Sequence, residues 1–287
     1  MDTWIPPLFK LFKSPNYKLA FCQIPKNGYR VLGGVFIFLN FQQTCDDMLY
    51  GPHMSISTLR DSCRHLIHTR RLTSVTPNNL ITKMDHLDFD ANEIFVIIRD
   101  PIDRFLSAWL DKCVSRFRDL GDTHDTRNYC LHCKADLGCF VNKLYVYFKE
   151  TLIELRDKNS MTYFLPLDNH YLPHSYGCPM KTLIDRERLI KHCHGKPFAD
   201  QFKIAFELVE IPKRISSFLT ATIGDTGNGS FFTYKSPDRE AAEQFLMDNP
   251  KTYSKLLDCY YSDYKLLADY YPFCSNFSCW KKSCCHC

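Results

Sequence analysis

Two short stretches concentrate the residues that could hold an anion. Gln23-Ile-Pro-Lys-Asn-Gly-Tyr-Arg30 lies between the apolar runs LAFC and VLGGVFIFLNF, so Lys26 and Gly28 stand between an expected strand and an expected helix. The N–H groups that open a helix lack intrahelical acceptors, and the positive end of the helix dipole adds to them, so such a turn is an anion cradle. The second stretch, Arg99-Asp-Pro-Ile-Asp-Arg-Phe-Leu-Ser107, follows the apolar run Ile94-Phe-Val-Ile-Ile98. It offers Arg99 at a strand end, then Arg104 and Ser107 three apart on a helix. Two such units in one chain suit a ligand with two separated phosphates.

The elements that must position these residues can be read from pattern. Tyr17–Ile24 reads as a strand and Tyr29–Phe41 as a helix, in which Gly33 and Gly34 should each cost roughly 1 kcal/mol relative to alanine. Ile94–Ile98 is continuously apolar, the mark of a strand covered on both faces. Asp100 suits an N-cap, Pro101 the first helical position and Asp103 the third. Ile102, Phe105, Leu106, Trp109, Leu110, Cys113, Val114 and Phe117 then share one helical face, with Arg104 and Ser107 on the other side. Further on, residues 55–70 carry helical patches, Phe140–Leu155 reads as a helix, Phe202–Ile211 as a strand and Pro212–Thr222 as a helix. Ser236-Pro237 opens a helix to Met247, and Asn249-Pro250 precedes a Tyr-rich helix to about Tyr271. Repeated strand, turn and helix imply an α/β sheet with anion sites at helix N-termini.

Composition bounds the function. The chain has 287 residues, 45% apolar, enough for one large domain with appendages. A formal charge of +4 suits an anionic small ligand or glycan and is too small to argue for nucleic acid. Fifteen cysteines and two sequons, Asn228-Gly-Ser230 and Asn276-Phe-Ser278, favour an oxidising secretory lumen. The N-terminal MDTWIPPLFKLF reads as no signal peptide, and the longest apolar stretch, Val31 to Phe41, is only 11 residues. The expectation is a fragment or short gene product of the secretory pathway or Golgi lumen, with membrane association only through a segment absent from the chain. A cytoplasmic protein with reduced cysteines is the alternative. The groups Cys130, Cys133, Cys139 and Cys274, Cys279, Cys284, Cys285, His286, Cys287 read as disulfides of undetermined pairing. Neither has the paired knuckles of a zinc site.

These stretches bear a family likeness. IPKNG resembles the 5′-phosphosulfate loop of the sulfotransferases, and IFVIIRDPIDRFLSAWLDKC resembles the 3′-phosphate site of the Golgi carbohydrate sulfotransferases (sulfotransferase family 2), most like their nematode branch. Asp168-Asn-His-Tyr-Leu-Pro-His-Ser-Tyr-Gly-Cys178 is similar to that family's His-aromatic-x-Pro-x4-Cys segment. FFTYKSPDR and NPKTYSKLLDCYYSDYKLL resemble its C-terminal loop and closing helix. The resemblance implies a P-loop-like parallel sheet flanked by helices, over residues 15–271. Residues 1–14 would then be an N-terminal tail and 272–287 a Cys-rich tail. It further implies sulfonate transfer from 3′-phosphoadenosine 5′-phosphosulfate to a hydroxyl of a carbohydrate or proteoglycan, without a metal. Pro25, Lys26, Asn27, Gly28 and Arg30 would line the 5′-phosphosulfate end, with Lys26 also catalytic. Arg99, Arg104 and Ser107 would line the 3′-phosphate end. His170 is the candidate general base, with His53, His65 and the acids at 85–90 as rivals. Sulfotransferases place Ser or Thr near positions 29–30, where this chain has Tyr29 and Arg30. A non-catalytic relative that binds a glycan or anionic ligand is therefore the second reading.

Overall fold

The computed structural model describes residues 10–42, 56–69, 81–83, 94–123, 128–158, 167–178, 188–192, 196–225 and 236–279. Its strands are β1 (Lys10–Ser14), β2 (Leu19–Cys22), β3 (Ile81–Lys83), β4 (Ile94–Ile98) and β5 (Leu189–Lys191). Its helices are α1 (Tyr29–Asn40), α2 (Ile56–Thr69), α3 (Pro101–Trp109), α4 (Arg116–Leu120), α5 (Leu137–Lys158), α6 (His174–Gly177), α7 (Lys196–Leu208), α8 (Lys213–Gly224), α9 (Pro237–Asp248) and α10 (Pro250–Leu266). A wider π turn, Leu110–Ser115, joins α3 to α4. The chain divides into two compact units, Met1–Ile98 with Tyr176–Gly229 and Arg99–Ser175 with Ser230–His286.

The first unit is built on one sheet of order β3-β1-β2-β4-β5. β2, β4 and β5 run parallel, with Phe21 beside Phe95 and Val96 beside Leu189, while β1 runs against β2 and β3. Every residue of β2 and β4 is buried, as expected of strands covered on both faces. Phe21 is the centre of the packing, with its ring 5.5 Å from Phe95, 5.5 Å from Phe202 and 5.9 Å from Phe36.

Three expectations change here. Lys10–Ser14, read as tail, forms β1, because Leu11 and Phe12 are buried and Phe12 stacks on Phe36. Residues 202–211, read as a strand, belong largely to helix α7. The alternation Phe202, Ile204, Phe206, Leu208 suggests a period of two, yet Phe198, Ala199, Phe202, Ala205 and Phe206 are the buried set, while Ile204 and Leu208 are exposed. The glycine pair in α1 also has a packing cause. A Cβ on Gly34 would lie 2.8 Å from Ile56 Cγ1 and 3.0 Å from Ile56 O, so this glycine lets α2 approach, whereas one on Gly33 would meet only Arg60 Cδ at 4.0 Å.

The second unit is helical in its described residues. α3 opens as its sequence suggests: Asp100 accepts from Asp103 N, and Pro101 fills the first turn. The opposite side of α3 is not a polar surface, however. Arg104 and Ser107 are buried along with Ile102, Phe105, Leu106 and Trp109, and Arg104 meets Tyr260 of α10 and the carbonyls of His170 and Leu172 on that side. Disulfides Cys113–Cys130 and Cys133–Cys139 tie the π turn and the chain before α5. Residues 272–279, read as tail, pack on α10: Tyr253 donates to Cys274 O at 3.0 Å, Phe277 is buried against the Tyr253 ring, and Cys274 pairs with Cys279. Cys284–Cys287, His53, the acids at 85–90 and the Asn228 sequon lie outside the described residues.

The glycine pair is directly testable by urea denaturation. Gly33→Ala should stabilise the chain by up to about 1 kcal/mol through helix propensity. Gly34→Ala should destabilise it by about 1–3 kcal/mol through overpacking against α2. Equal effects at the two positions would contradict the close approach.

Candidate active site

In the first unit the expected cradle forms where β2 turns into α1. Disulfide Cys22–Cys178 holds the end of β2. The chain then turns, with Asn27 N donating to Ile24 O at 3.2 Å and both Lys26 (φ 69°) and Gly28 (φ 75°) in the left-handed region. Gly28 is required twice over: by its φ, and because a Cβ would lie 3.2 Å from Ile97 Cδ1 and 3.4 Å from Phe198 Cζ. Buried Asn27 anchors the turn, its Nδ2 donating to Ile97 O at 2.6 Å, while its Oδ1 has no hydrogen-bond partner among the described residues. Pro25 and Lys26 are half-buried. Gly28 is the N-cap of α1, and no side chain among the described residues caps that helix. The first N–H groups of α1 therefore stand where a phosphate could serve as the cap. Tyr29 begins α1 and packs on Phe12, ring centroids 5.3 Å apart, and Arg30 is the second residue of the helix.

In the second unit, Arg99 precedes α3 and pairs with Asp103, Nε to Oδ2 at 2.5 Å. Asp103 also takes Arg239 Nη2 at 2.9 Å on its other oxygen, and Arg239 Nε meets Glu243 at 2.6 Å. The Ser-Pro-Asp-Arg start of α9 is thereby brought to the start of α3. Asp100 is held from both sides, by Asp103 N and by the Tyr264 hydroxyl at 3.0 Å. Arg104 is fully buried and spends its guanidinium on two main-chain carbonyls, those of His170 and Leu172. Among the described residues, Arg99, Arg104, Ser107 and His170 share this unit, while Pro25 to Arg30 belong to the first.

His170 lies in a turn closed by Tyr171 N on Asp168 O at 3.0 Å. Asp168 Oδ1 accepts from His170 N at 2.8 Å and also meets the ring at Nδ1. Burial pushes the Asp168 carboxyl up, but the hydrogen bonds and charge of His170, helped by Lys112, outweigh it and hold it below its ordinary value. An ionised carboxylate can only accept, so the ring donates from Nδ1, and in the neutral ring Nε2 then carries the lone pair. That is the tautomer a general base requires, with the side chain 25% exposed. A second histidine, His174, is wholly buried and meets Asp263 Oδ2 at 2.8 Å through Nδ1, while its Nε2 has no hydrogen-bond partner among the described residues. Burial lowers the His174 imidazole below its ordinary value, against the pull of Asp263. Asp263 itself stays ionised: His174 and Arg104 outweigh the burial that pushes it up.

Sequence reasoning missed Asp168, Arg239, Tyr260, Asp263 and Tyr264. The last three sit on the buried face of α10 at a spacing of three and one, beside Tyr253, Leu256 and Leu257. An acid in an otherwise apolar and aromatic stripe was the available signal. No group of three or more His, Cys, Asp or Glu residues among those described could hold a metal ion.

Comparison of the chain with known proteins identifies a family. The model of the Sulfotransferase family matches residues 10–271, and the chain belongs to that family. It is 25% identical over 257 residues to Uncharacterized protein C18B2.2 of Caenorhabditis elegans, covering 88% of this chain and 67% of that protein. It is 24% identical over 203 residues to Carbohydrate sulfotransferase chst-1 of the same organism, covering 65% of this chain and 53% of the relative, so it spans about half the length of that protein. No solved structure matches the chain significantly. Family membership supports a sulfotransferase enzyme, and the four disulfides among the described residues fit a secretory environment.

The buried His174 sets a pH dependence. Its folded value lies below its unfolded one, so the unfolded chain binds the extra proton and stability falls as pH drops below about 6.5. His174→Gln keeps a donor for Asp263 without a titrating group. Urea midpoints should drop less between about pH 7.5 and 5.5 in this variant than in the parent. An identical drop would remove His174 as the cause.

Proposed function

We propose that the chain is a carbohydrate sulfotransferase of the secretory pathway, using 3′-phosphoadenosine 5′-phosphosulfate as donor and a glycan hydroxyl as acceptor. One observation carries the donor reading. Helix α1 is opened, directly after Lys26 and Asn27, by a left-handed glycine, and no side chain among the described residues caps it. The glycine leaves the backbone open to an anion, and Asn27 keeps the turn in place. The residues present thus fit the 5′ end of such a donor.

In this reading Lys26 neutralises the bridging oxygen and 5′-phosphate as charge develops there. Pro25, Asn27 and Gly28 shape the turn, and Arg30 stands in the helix opening where the family uses a hydroxyl. Arg99 and Ser107 take the 3′-phosphate, Arg99 exchanging part of its hold on Asp103 for the phosphate. The donor, when bound, supplies the sulfonyl group and the departing nucleotide. His170 Nε2 accepts the acceptor hydroxyl's proton while Asp168 holds Nδ1–H. The new sulfur–oxygen bond then forms as the bond to the 5′-phosphate oxygen breaks. The glycan assignment draws on the name of the relative chst-1. A second reading, a non-catalytic binder of anionic ligands, is favoured only by Tyr29, whose ring is occupied by Phe12 where the family has a small hydroxyl.

Calorimetry with 3′-phosphoadenosine 5′-phosphate separates the readings, since no binding at millimolar nucleotide would end the enzyme reading. Arg99→Ala should weaken that binding by about 1.5–3 kcal/mol, the worth of a charge-assisted hydrogen bond. Lys26→Ala should abolish sulfonate transfer with the unfolding midpoint nearly unchanged; undiminished turnover would remove Lys26 from the mechanism.

A further inference from the structure

The segment that carries His170 is held by its main chain to an unusual degree. Arg104 Nη1 donates to His170 O at 3.1 Å, and its Nη2 donates to Leu172 O. Between them, the Tyr260 hydroxyl donates to Tyr171 O at 2.6 Å. Three consecutive carbonyls are therefore taken by two side chains. On the far side of Pro173, Asp263 accepts from His174 N at 2.6 Å and from Ser175 N at 3.2 Å. Since Asp168 holds the His170 N–H, that residue is fixed at both its donor and its acceptor.

From this geometry we propose that Arg104 and Tyr260 are positioning residues that orient the His170 imidazole through its main chain, and that Arg104 is not a donor ligand. The proposal rests on the reading of His170 as the general base. Arg104 has no exposed surface, and its guanidinium lies 5.9 Å from the centroid of the Tyr260 ring. To reach a phosphate it would have to give up its bonds to both carbonyls, each a loss comparable to a new hydrogen bond to the phosphate. The choice of side chain follows from the same geometry. A planar fork can serve carbonyls two residues apart, whereas an ammonium is a single point. Burial lowers the Arg104 guanidinium below its ordinary value, and the facing charge of Asp263 works against that, so the cation stays in place. Tyr260, pushed well up by burial, remains a hydroxyl donor.

The consequence is mechanical. α3 carries, on the same covered side, Ser107 for the 3′-phosphate and Arg104 for the base segment. The helix that grips one end of the donor would thus also set the ring that receives the acceptor's proton. Small displacements of such a ring are enough to slow transfer, since about 1 Å of misplacement can cost roughly a hundredfold.

The test uses the full chain with nitrogen-15-labelled histidine, and two variants, Tyr260→Phe and Arg104→Lys. His170 signals are assigned by their loss in His170→Gln, and His192 of the first unit serves as a control. Both variants should shift the His170 ring-nitrogen signals away from a single Nδ1–H tautomer, with His192 unchanged. Affinity for 3′-phosphoadenosine 5′-phosphate should stay within about twofold of the parent. Unmoved His170 signals in both variants would overturn the positioning role. A loss of about tenfold or more in nucleotide affinity in Arg104→Lys would instead make Arg104 a donor ligand. Should Arg104→Lys fail to fold, Tyr260→Phe removes one hydroxyl only and its His170 signals decide alone. If the parent chain itself binds no nucleotide, the donor reading falls while the histidine signals still decide the positioning role.

Discussion

A guanidinium with no exposed surface organises the second unit. Burying Arg104 is tolerable only because carbonyls of His170 and Leu172 saturate part of it and the Asp263 carboxylate faces it. Those requirements fix where the chain around His170 must lie and where α10 must lie. α10 answers with three polar groups on one buried face: Tyr260 on the Tyr171 carbonyl, Asp263 on the His174 and Ser175 amides, and Tyr264 on the Asp100 carboxylate. The aromatic packing of Phe105, Phe140, Tyr171 and Tyr260 fills the space between these bonds. A network of this kind is costly when any member is missing, so it specifies one arrangement rather than merely adding stability.

The two helices that follow buried strands treat their N-termini in opposite ways. α3 is closed by its own sequence, with the Asp100 carboxylate on the Asp103 amide. α1 begins at a glycine and has no side-chain cap among the described residues. A capped terminus is a finished structural element; an uncapped one retains its affinity for an anion. In the sulfotransferase reading the open terminus takes the 5′ end of the donor, while at the closed one the Arg99 side chain and the Ser107 hydroxyl, rather than amides, take the 3′-phosphate.

The strands and the α3 cap are legible in the sequence because local rules govern them. Ile94–Ile98 is apolar throughout, and Asp-Pro-x-Asp has a single good conformation at a helix start. The α7 segment misleads because Phe202, Ile204, Phe206 and Leu208 satisfy a strand's alternation as well as a helix's face, and only packing on Phe21 selects Phe202 and Phe206. Gly33 and Gly34 look alike in sequence, yet only Gly34 faces Ile56. Lys26, Gly28, Arg99 and Ser107 stand out in the sequence because turns and helix starts are local. Asp168 does not, since the worth of a carboxylate two residues from a histidine depends on the turn between them.

Local chemistry alone therefore determined the α/β character, the turn that opens α1, the capped start of α3 and which residues are proposed to meet phosphates. Those features depend on neighbours within a few positions along the chain, where backbone sterics and hydrogen-bond reach decide the outcome. Tertiary structure decided which polar groups are structural. Arg104 and Ser107, three apart and outwardly equivalent, are both buried, and Arg104 is committed to carbonyls from residues far along the chain. A buried charge takes whichever partners the fold brings to it, and no spacing in the sequence records which those will be.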